Sequence, residues 1–147
     1  MLSASITALQ IKSMSAIQHW LVKQEPTTYS FDQFMKEKLT AWTGIRNYQA
    51  RNYLRAMRKS DLVFFYHSNV GKAIVGLAEV ARERYPDPTD PLWDCVDLKA
   101  LRPLARPLEL SIIKTDPILR TLPLITQPRL SIMPVTPKQA QRILQLT

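Results

Sequence analysis

The sequence predicts an α+β fold: a compact, partly open β-barrel of five to six strands with short helices at its rim. Three observations predict it. Apolar, β-branched runs follow one another at hairpin-like spacing between Asp61 and Leu101. The helix signals elsewhere are short and carry their own caps. Strand–helix alternation fails over residues 61–101, which argues against an open sheet covered by helices on both faces.

Taken in order, His19-Trp20-Leu21-Val22-Lys23 has aromatic and β-branched residues without a breaker, so it reads as a first strand ending at Gln24-Glu25-Pro26. Ser30 followed by Gln33 has capping-box spacing, and Phe31, Phe34 and Met35 give the helix behind it one apolar face. That helix is expected to fade near Lys38. Asn47 is the next N-cap, for a helix running to about Arg58 with Tyr53, Leu54 and Met57 turned toward the core. Asp61 to Ser68 reads as a buried strand with a polar exit at Tyr66-His67-Ser68-Asn69. Val70-Gly71-Lys72 then turns the chain, and Ala73 to Val80 returns as the next strand. Gly76 in mid-strand predicts a bend or a close backbone approach.

Three prolines between Tyr85 and Pro91 predict a rigid, extended loop. The alternation from Asp94 to Leu101 predicts a half-exposed strand, stopped by Pro103 and Pro107. A short helix over Ser111 to Lys114, a proline-interrupted segment from Leu122 to Arg129 and a closing strand from Leu130 to Met133 follow. Thr136-Pro137-Lys138-Gln139 opens a final helix that reaches about Leu146. No repeat or linker divides the chain, so residues 18–147 read as one domain. Residues 1–17, rich in Ser and Ala with Lys12 as their one charge, are set apart as an extension expected to be poorly ordered.

Charge is the informative part of the composition. Twenty Lys and Arg against twelve Asp and Glu leave a net charge of +8 over 147 residues. Such an excess favours an anionic partner: nucleic acid, an acidic membrane surface or a phosphorylated ligand. Cys95 is the sole cysteine, which excludes an intrachain disulfide and a thiolate cluster, and its place in a strand reads as a half-buried structural thiol. His19 and His67 lack a metal-ligand spacing, so neither metal nor cofactor is expected. No apolar run approaches the ~20 residues of a membrane helix. A cytoplasmic monomer, away from membranes, is the expectation.

The candidate chemistry concentrates in Trp42-Thr43-Gly44-Ile45-Arg46-Asn47-Tyr48-Gln49-Ala50-Arg51-Asn52. Gly44 permits a sharp turn at positive φ beside the Trp42 ring. A ring offers a stacking face, amides can hydrogen-bond a base edge, and arginines neutralise phosphate. The same stretch also reads as a buried tryptophan with a capped helix behind it. Arg51, Arg55, Arg58 and Lys59 fall on one side of the expected helix, either as a solvated face or as a stripe turned toward phosphates.

Five segments together resemble a known family. They are Trp20-Leu21-Val22-Lys23-Gln24-Glu25-Pro26, the Trp42–Asn52 stretch, Phe65-Tyr66-His67-Ser68-Asn69, Tyr85-Pro86-Asp87 and Leu130-Ser131-Ile132-Met133-Pro134-Val135. In this order they resemble the EVE domain, over about residues 18 to 146. The resemblance implies a PUA-like fold, related to YTH domains, and recognition of modified bases in DNA or RNA. Gln24 stands where the family usually has Ser, and Thr43 where an acidic residue is usual. Both lie beside the expected pocket.

On this reading the protein is a non-catalytic module whose partner is nucleic acid carrying a modified base, flipped or unpaired. Trp42 stacks on that base. Lys23, Gln24, Glu25, Asn47, Tyr48, Tyr66, His67, Ser68, Asn69 and Ser131 complete the candidate base pocket. Arg46, Arg51, Arg55, Arg58 and Lys72 are the candidate phosphate contacts. Trp20 reads as core, and Glu25 also as an acceptor for Arg46 or Arg51. A second reading is a nucleic-acid-processing enzyme with His67, Ser68 and Glu25 or Asp87 as its acid–base set. No metal-binding carboxylate pair or nucleophile motif supports it. A third is a small-molecule or protein-interaction module on the same fold.

Overall fold

A computed structural model of the chain describes residues 17–147. The expectation for the N-terminal extension therefore falls almost wholly outside the described residues. Strand β1 (His19–Gln24) leads to helix α1 (Phe31–Glu37), the short strand β2 (Leu39–Ala41) and helix α2 (Tyr48–Ala56). Strands β3 (Leu62–His67), β4 (Ala73–Asp87) and β5 (Asp90–Glu109) follow, then α3 (Leu110–Thr115) and a 3-10 turn at Leu119–Thr121. Helix α4 (Pro123–Thr126), strand β6 (Ile132–Val135) and helix α5 (Pro137–Gln145) close the chain.

The strands form one six-stranded sheet in the order β2-β5-β4-β3-β1-β6. Among the described residues only β1 and β3 run parallel, Trp20 opposite Val63 and Gln24 opposite His67. Helices α1 and α2 occupy the crossover between these two strands, so the chain that leaves the end of β1 must pass over the sheet before returning. This is the mixed α+β fold that the sequence predicts, with β2 and β6 as the open edges.

The caps form as the sequence predicts. Ser30 Oγ accepts the Gln33 N–H at 3.1 Å, Asn47 Oδ1 accepts the Ala50 N–H at 2.9 Å, and Thr136 and Gln139 bond reciprocally in a full capping box. Gly76 meets its expectation of close approach, since a Cβ there would lie 2.2 Å from Phe31 Cζ. The missing side chain lets α1 lay Phe31 directly on the backbone of β4. Phe31, Phe34 and Trp42 all converge on Phe65, with ring centroids 5.2, 5.7 and 5.6 Å away. Such pairs contribute about 0.5–1.5 kcal/mol each beyond their burial.

Several boundaries differ, each for a local reason. Helix α2 stops at Ala56, short of Arg58, because Met57 turns extended and carboxylates capture the next two amides. Arg58 N–H donates to Asp61 Oδ2 at 2.9 Å and Lys59 N–H to Glu83 Oε2 at 3.1 Å. The four-residue basic stripe is thereby broken, since Arg58 and Lys59 lie beyond the helix. Strand β5 runs through Pro103 and Pro107 because β2 covers only Asp97 to Lys99. Past that point no strand among the described residues bonds the outer edge of β5, so a missing N–H costs little. The expected Tyr85–Pro91 loop shrinks to a tight turn in which Asp87 Oδ1 accepts the Thr89 N–H at 2.7 Å. Pro134 is likewise accommodated because β6 is an edge strand. Cys95 is wholly buried in β5, and that burial pushes its thiol pKa up.

Trp20 lies in the core, as the sequence predicts, and its indole Nε1–H donates to Asp61 Oδ2 at 3.0 Å. Asp61 is itself buried and also accepts the Gln18 N–H at 3.1 Å. One carboxylate thus fastens the start of β1 to the entry of β3.

Candidate functional site: a cavity beside Trp42

The site begins where β2 ends. Trp42 N–H donates to the Val96 carbonyl at 2.7 Å, prolonging the β2–β5 ladder by one bond. Gly44 then takes φ +85, a conformation that side chains disfavour, and its N–H turns to Asp87 Oδ2 at 2.9 Å. Arg46 joins the same carboxylate at 3.2 Å and reaches Thr89 Oγ1 at 3.0 Å. Burial alone would raise the pKa of Asp87. The donors from Thr89, Gly44 and Arg46 outweigh it and hold the carboxyl well below the usual range. The segment from Trp42 to Arg46 is therefore clamped to the β4–β5 hairpin at both of its ends.

This clamp fixes one wall of a cavity of about 210 Å³ lined by Gln24, Tyr29, Thr40, Ala41, Trp42 and Thr43. Trp42 is only 6% exposed, not an open platform, and its ring packs edge-on against Phe65 and Tyr29. Among the described residues its indole N–H has no acceptor. Tyr29, missed in the sequence, faces it from the loop before α1. Its hydroxyl donates to Glu37 Oε1 at 2.6 Å, and burial together with that carboxylate pushes its pKa up to about 12. Gln24 supplies the amide, with Oε1 accepting the Glu25 N–H at 3.0 Å.

Of the expected pocket residues, Trp42 and Gln24 line this cavity, and the others have different places. Lys23 Nζ donates to the Pro128 carbonyl at 2.6 Å, and its backbone N–H donates to Ser131 O at 3.0 Å. Ser68 N–H donates to the Gln24 carbonyl at 2.9 Å, which fixes the end of β1. Glu25 takes the side-chain amide of Asn69, not Arg46 or Arg51. Asn69 adopts φ 65, which Asn tolerates better than most residues. Tyr66 is buried in the core, where loss of solvent raises its pKa. His67 Nε2 accepts the Phe31 N–H at 3.1 Å, so the ring is the neutral, Nδ1-protonated form, and burial lowers its pKa against an opposing pull from Asp32. Asn47 lines a separate cavity of about 340 Å³ with Gln49, Gln127, Pro128, Arg129 and Leu130. Tyr48 stands on the surface at 66% exposure.

The expected phosphate contacts also separate. Arg46 and Arg55 are held by Asp87 and Asp94, and Arg84 shares Asp94 at 3.7 Å. Arg58 is exposed beyond the end of α2. Lys72 borders a shallow cavity of about 510 Å³ with Asn69, Gly71, Glu109, Leu110, Ser111 and Lys114. No side-chain hydrogen bond joins His67 or Ser68 to Glu25 or to Asp87 among the described residues, so neither version of the acid–base set read from the sequence is assembled. Among the same residues, no group of three or more His, Cys, Asp or Glu could hold a metal ion. No helix there is long and apolar enough to cross a membrane.

A six-stranded mixed sheet with a small cavity at the end of its parallel pair defines the class of protein, and the EVE-domain profile matches residues 18–146. The chain belongs to the EVE-domain family. Within it, mouse thymocyte nuclear protein 1 is 36% identical over 87% of this chain and 73% of its own length. A solved structure from Rhodopseudomonas palustris is 44% identical with a TM-score of 0.84, covering 88% of this chain and 92% of that one. A crystal structure of human thymocyte nuclear protein 1 in complex with DNA containing 5-methylcytosine is 33% identical with a TM-score of 0.80. It covers 88% of this chain and 96% of that one.

Proposed function

We propose that the chain is a non-catalytic reader of a modified base in DNA, with the cavity beside Trp42 as the seat of the base. The observation that carries this reading is the cavity itself: about 210 Å³, one aromatic wall, one facing phenol and a rim of amide and hydroxyl groups. That volume is below the roughly 300–1,000 Å³ of sites for drug-sized ligands and suits a single ring. The human relative's complex with methylated DNA supports the choice of partner.

A modified base inside a duplex presents only its groove edge, so full inspection requires extruding it or meeting it unpaired. Trp42 would then give it an aromatic wall and an unclaimed N–H donor. Gln24 and Thr43 would meet its polar edge, and these two positions carry the departures from the family pattern. Base–aromatic contact contributes roughly 1–3 kcal/mol per base, too little for tight binding alone. Phosphate contacts supply the rest and make affinity fall with salt.

Fluorescence anisotropy with paired duplexes, methylated and unmodified, tests this at fixed salt. The wild type is expected to favour the methylated duplex. Trp42→Phe should bring the two affinities together while leaving binding to unmodified DNA nearly unchanged. Equal loss on both duplexes would count against a base seat at Trp42. Conversion of either oligonucleotide to a new product would count against the non-catalytic reading.

A further inference from the structure

Three arginines follow the cavity along the chain, and their partners differ. Arg46 and Arg55 are neutralised by Asp87 and Asp94. Arg51, between them, pairs with no carboxylate among the described residues, and its Nε is out of solvent without a hydrogen-bond partner. A buried donor without an acceptor is uncommon in a folded chain. The Arg51 guanidinium lies over the Tyr48 ring at 4.9 Å and near the Trp93 ring at 5.6 Å. Those rings lie 5.1 Å apart and 31° from parallel, and Arg46 adds a second guanidinium 5.8 Å from Trp93. Outward, Tyr48 is 66% exposed and Leu92, next to Trp93 in β5, is 81% exposed.

We propose that Arg51, Tyr48 and Trp93 form a second nucleic-acid contact, outside the cavity, that grips the strand flanking the extruded base. Arg51 takes a backbone phosphate, and the exposed ring of Tyr48, backed by Trp93, takes the face of a flanking base or sugar. Leu92 borders the contact on the hairpin side. Asp87 and Asp94 are already occupied by Arg46, Arg55 and Arg84, while Asp90, at the start of β5, accepts the Leu92 N–H at 3.2 Å. Its position suits the role. Thr43 lines the cavity and Tyr48 is five residues further on, a reach of at most about 17 Å, or about five B-DNA steps. The clamp on Asp87 holds the intervening segment, so cavity and contact keep a fixed spacing.

This contact rests on the reading of the cavity as a base seat, and one titration separates their fates. A methylated duplex and its unmodified twin are titrated with wild type, Tyr48→Ala and Arg51→Gln at several salt concentrations, folding being checked by circular dichroism. Tyr48→Ala removes a mostly solvent-exposed side chain and is expected to weaken both duplexes about tenfold, within the range of base–aromatic stacking. Arg51→Gln is expected to reduce the slope of log affinity against log salt by about 0.9, one phosphate's share. The preference for the methylated duplex should persist in both variants. Wild-type affinity and salt slope in both variants would overturn the second contact and leave the cavity reading standing. Loss of the preference alone, with unmodified DNA bound as before, would place these residues in base reading and also overturn it. A wild type that binds neither duplex would overturn both.

Discussion

Trp20 and Trp42 are almost equally buried, at 5% and 6% exposure, and both stand in or just beyond a strand. What surrounds them differs. Trp20 has its N–H satisfied by Asp61. Trp42 has no acceptor among the described residues and a cavity of about 210 Å³ at its side. Burial alone therefore does not separate a structural ring from one proposed to read a base. Accounting for donors and empty space does, and it gives the two tryptophans opposite expected behaviour.

The largest effect is expected at the structural ring. Trp20→Ala should cost about 3–5 kcal/mol of stability in urea denaturation, by cavity creation and by leaving Asp61 short of a donor. Any DNA preference should survive in the fraction that folds. Asp61→Ala should cost about 3 kcal/mol, because the buried indole N–H and the amides of Gln18 and Arg58 lose their acceptor. Trp42→Phe should cost only about 1–2 kcal/mol, since the ring already adjoins empty space, yet it should remove the methyl-base preference. Loss of preference at Trp20, or its survival in Trp42→Phe, would break the contrast.

A smaller effect is expected from pH. Asp87 has a folded pKa below its unfolded value, so its contribution is complete above the unfolded carboxylate pKa of about 3.9. It is lost as pH falls through the lower folded value. Asp116, for which burial is outweighed by Arg142 and by the Ile118 and Leu119 amides, acts in the same direction. The urea midpoint should therefore fall as the solution is acidified below about pH 4, and less steeply in Asp87→Asn. Because Asp87 also clamps Gly44 and Arg46, that variant should loosen DNA binding at neutral pH while Trp20 stays in place. The smallest change is expected from Tyr29→Phe, which removes an exposed hydrogen bond to Glu37 and should cost under about 1 kcal/mol.

Much of this was legible in the sequence because it is written locally. Ser30, Asn47 and Thr136 announce their helices within four residues, and Gly76 announces the close approach of Phe31. What escaped depends on distant chain. Strand β2 is three residues long and exists only because β5 lies beside it. The prolines of β5 break a strand in isolation but are harmless on an uncovered edge. Asp61 and Glu83 decide where α2 ends, from outside the helix. In the candidate site, Trp42 was readable from the chemistry of its own stretch and Gln24 from the family pattern. Tyr29 was not, since nothing near Pro26 or Ser30 says that the loop folds back onto Trp42. Trp93 was hidden for the same reason, because only the β4–β5 hairpin brings it to Tyr48. Arg46 and Arg55 looked like free cations until Asp87 and Asp94, roughly forty residues on, were placed against them.

With only three tryptophans in the chain, the indole N–H resonances report each ring separately. The most direct test follows them by ¹⁵N–¹H correlation spectroscopy while an oligonucleotide with one methylated cytosine is added. Trp42 is expected to shift strongly and gain protection from exchange, Trp93 to shift moderately, and Trp20 to remain where it was. Saturating binding that leaves the Trp42 indole unmoved would contradict the assignment of its cavity as the base seat.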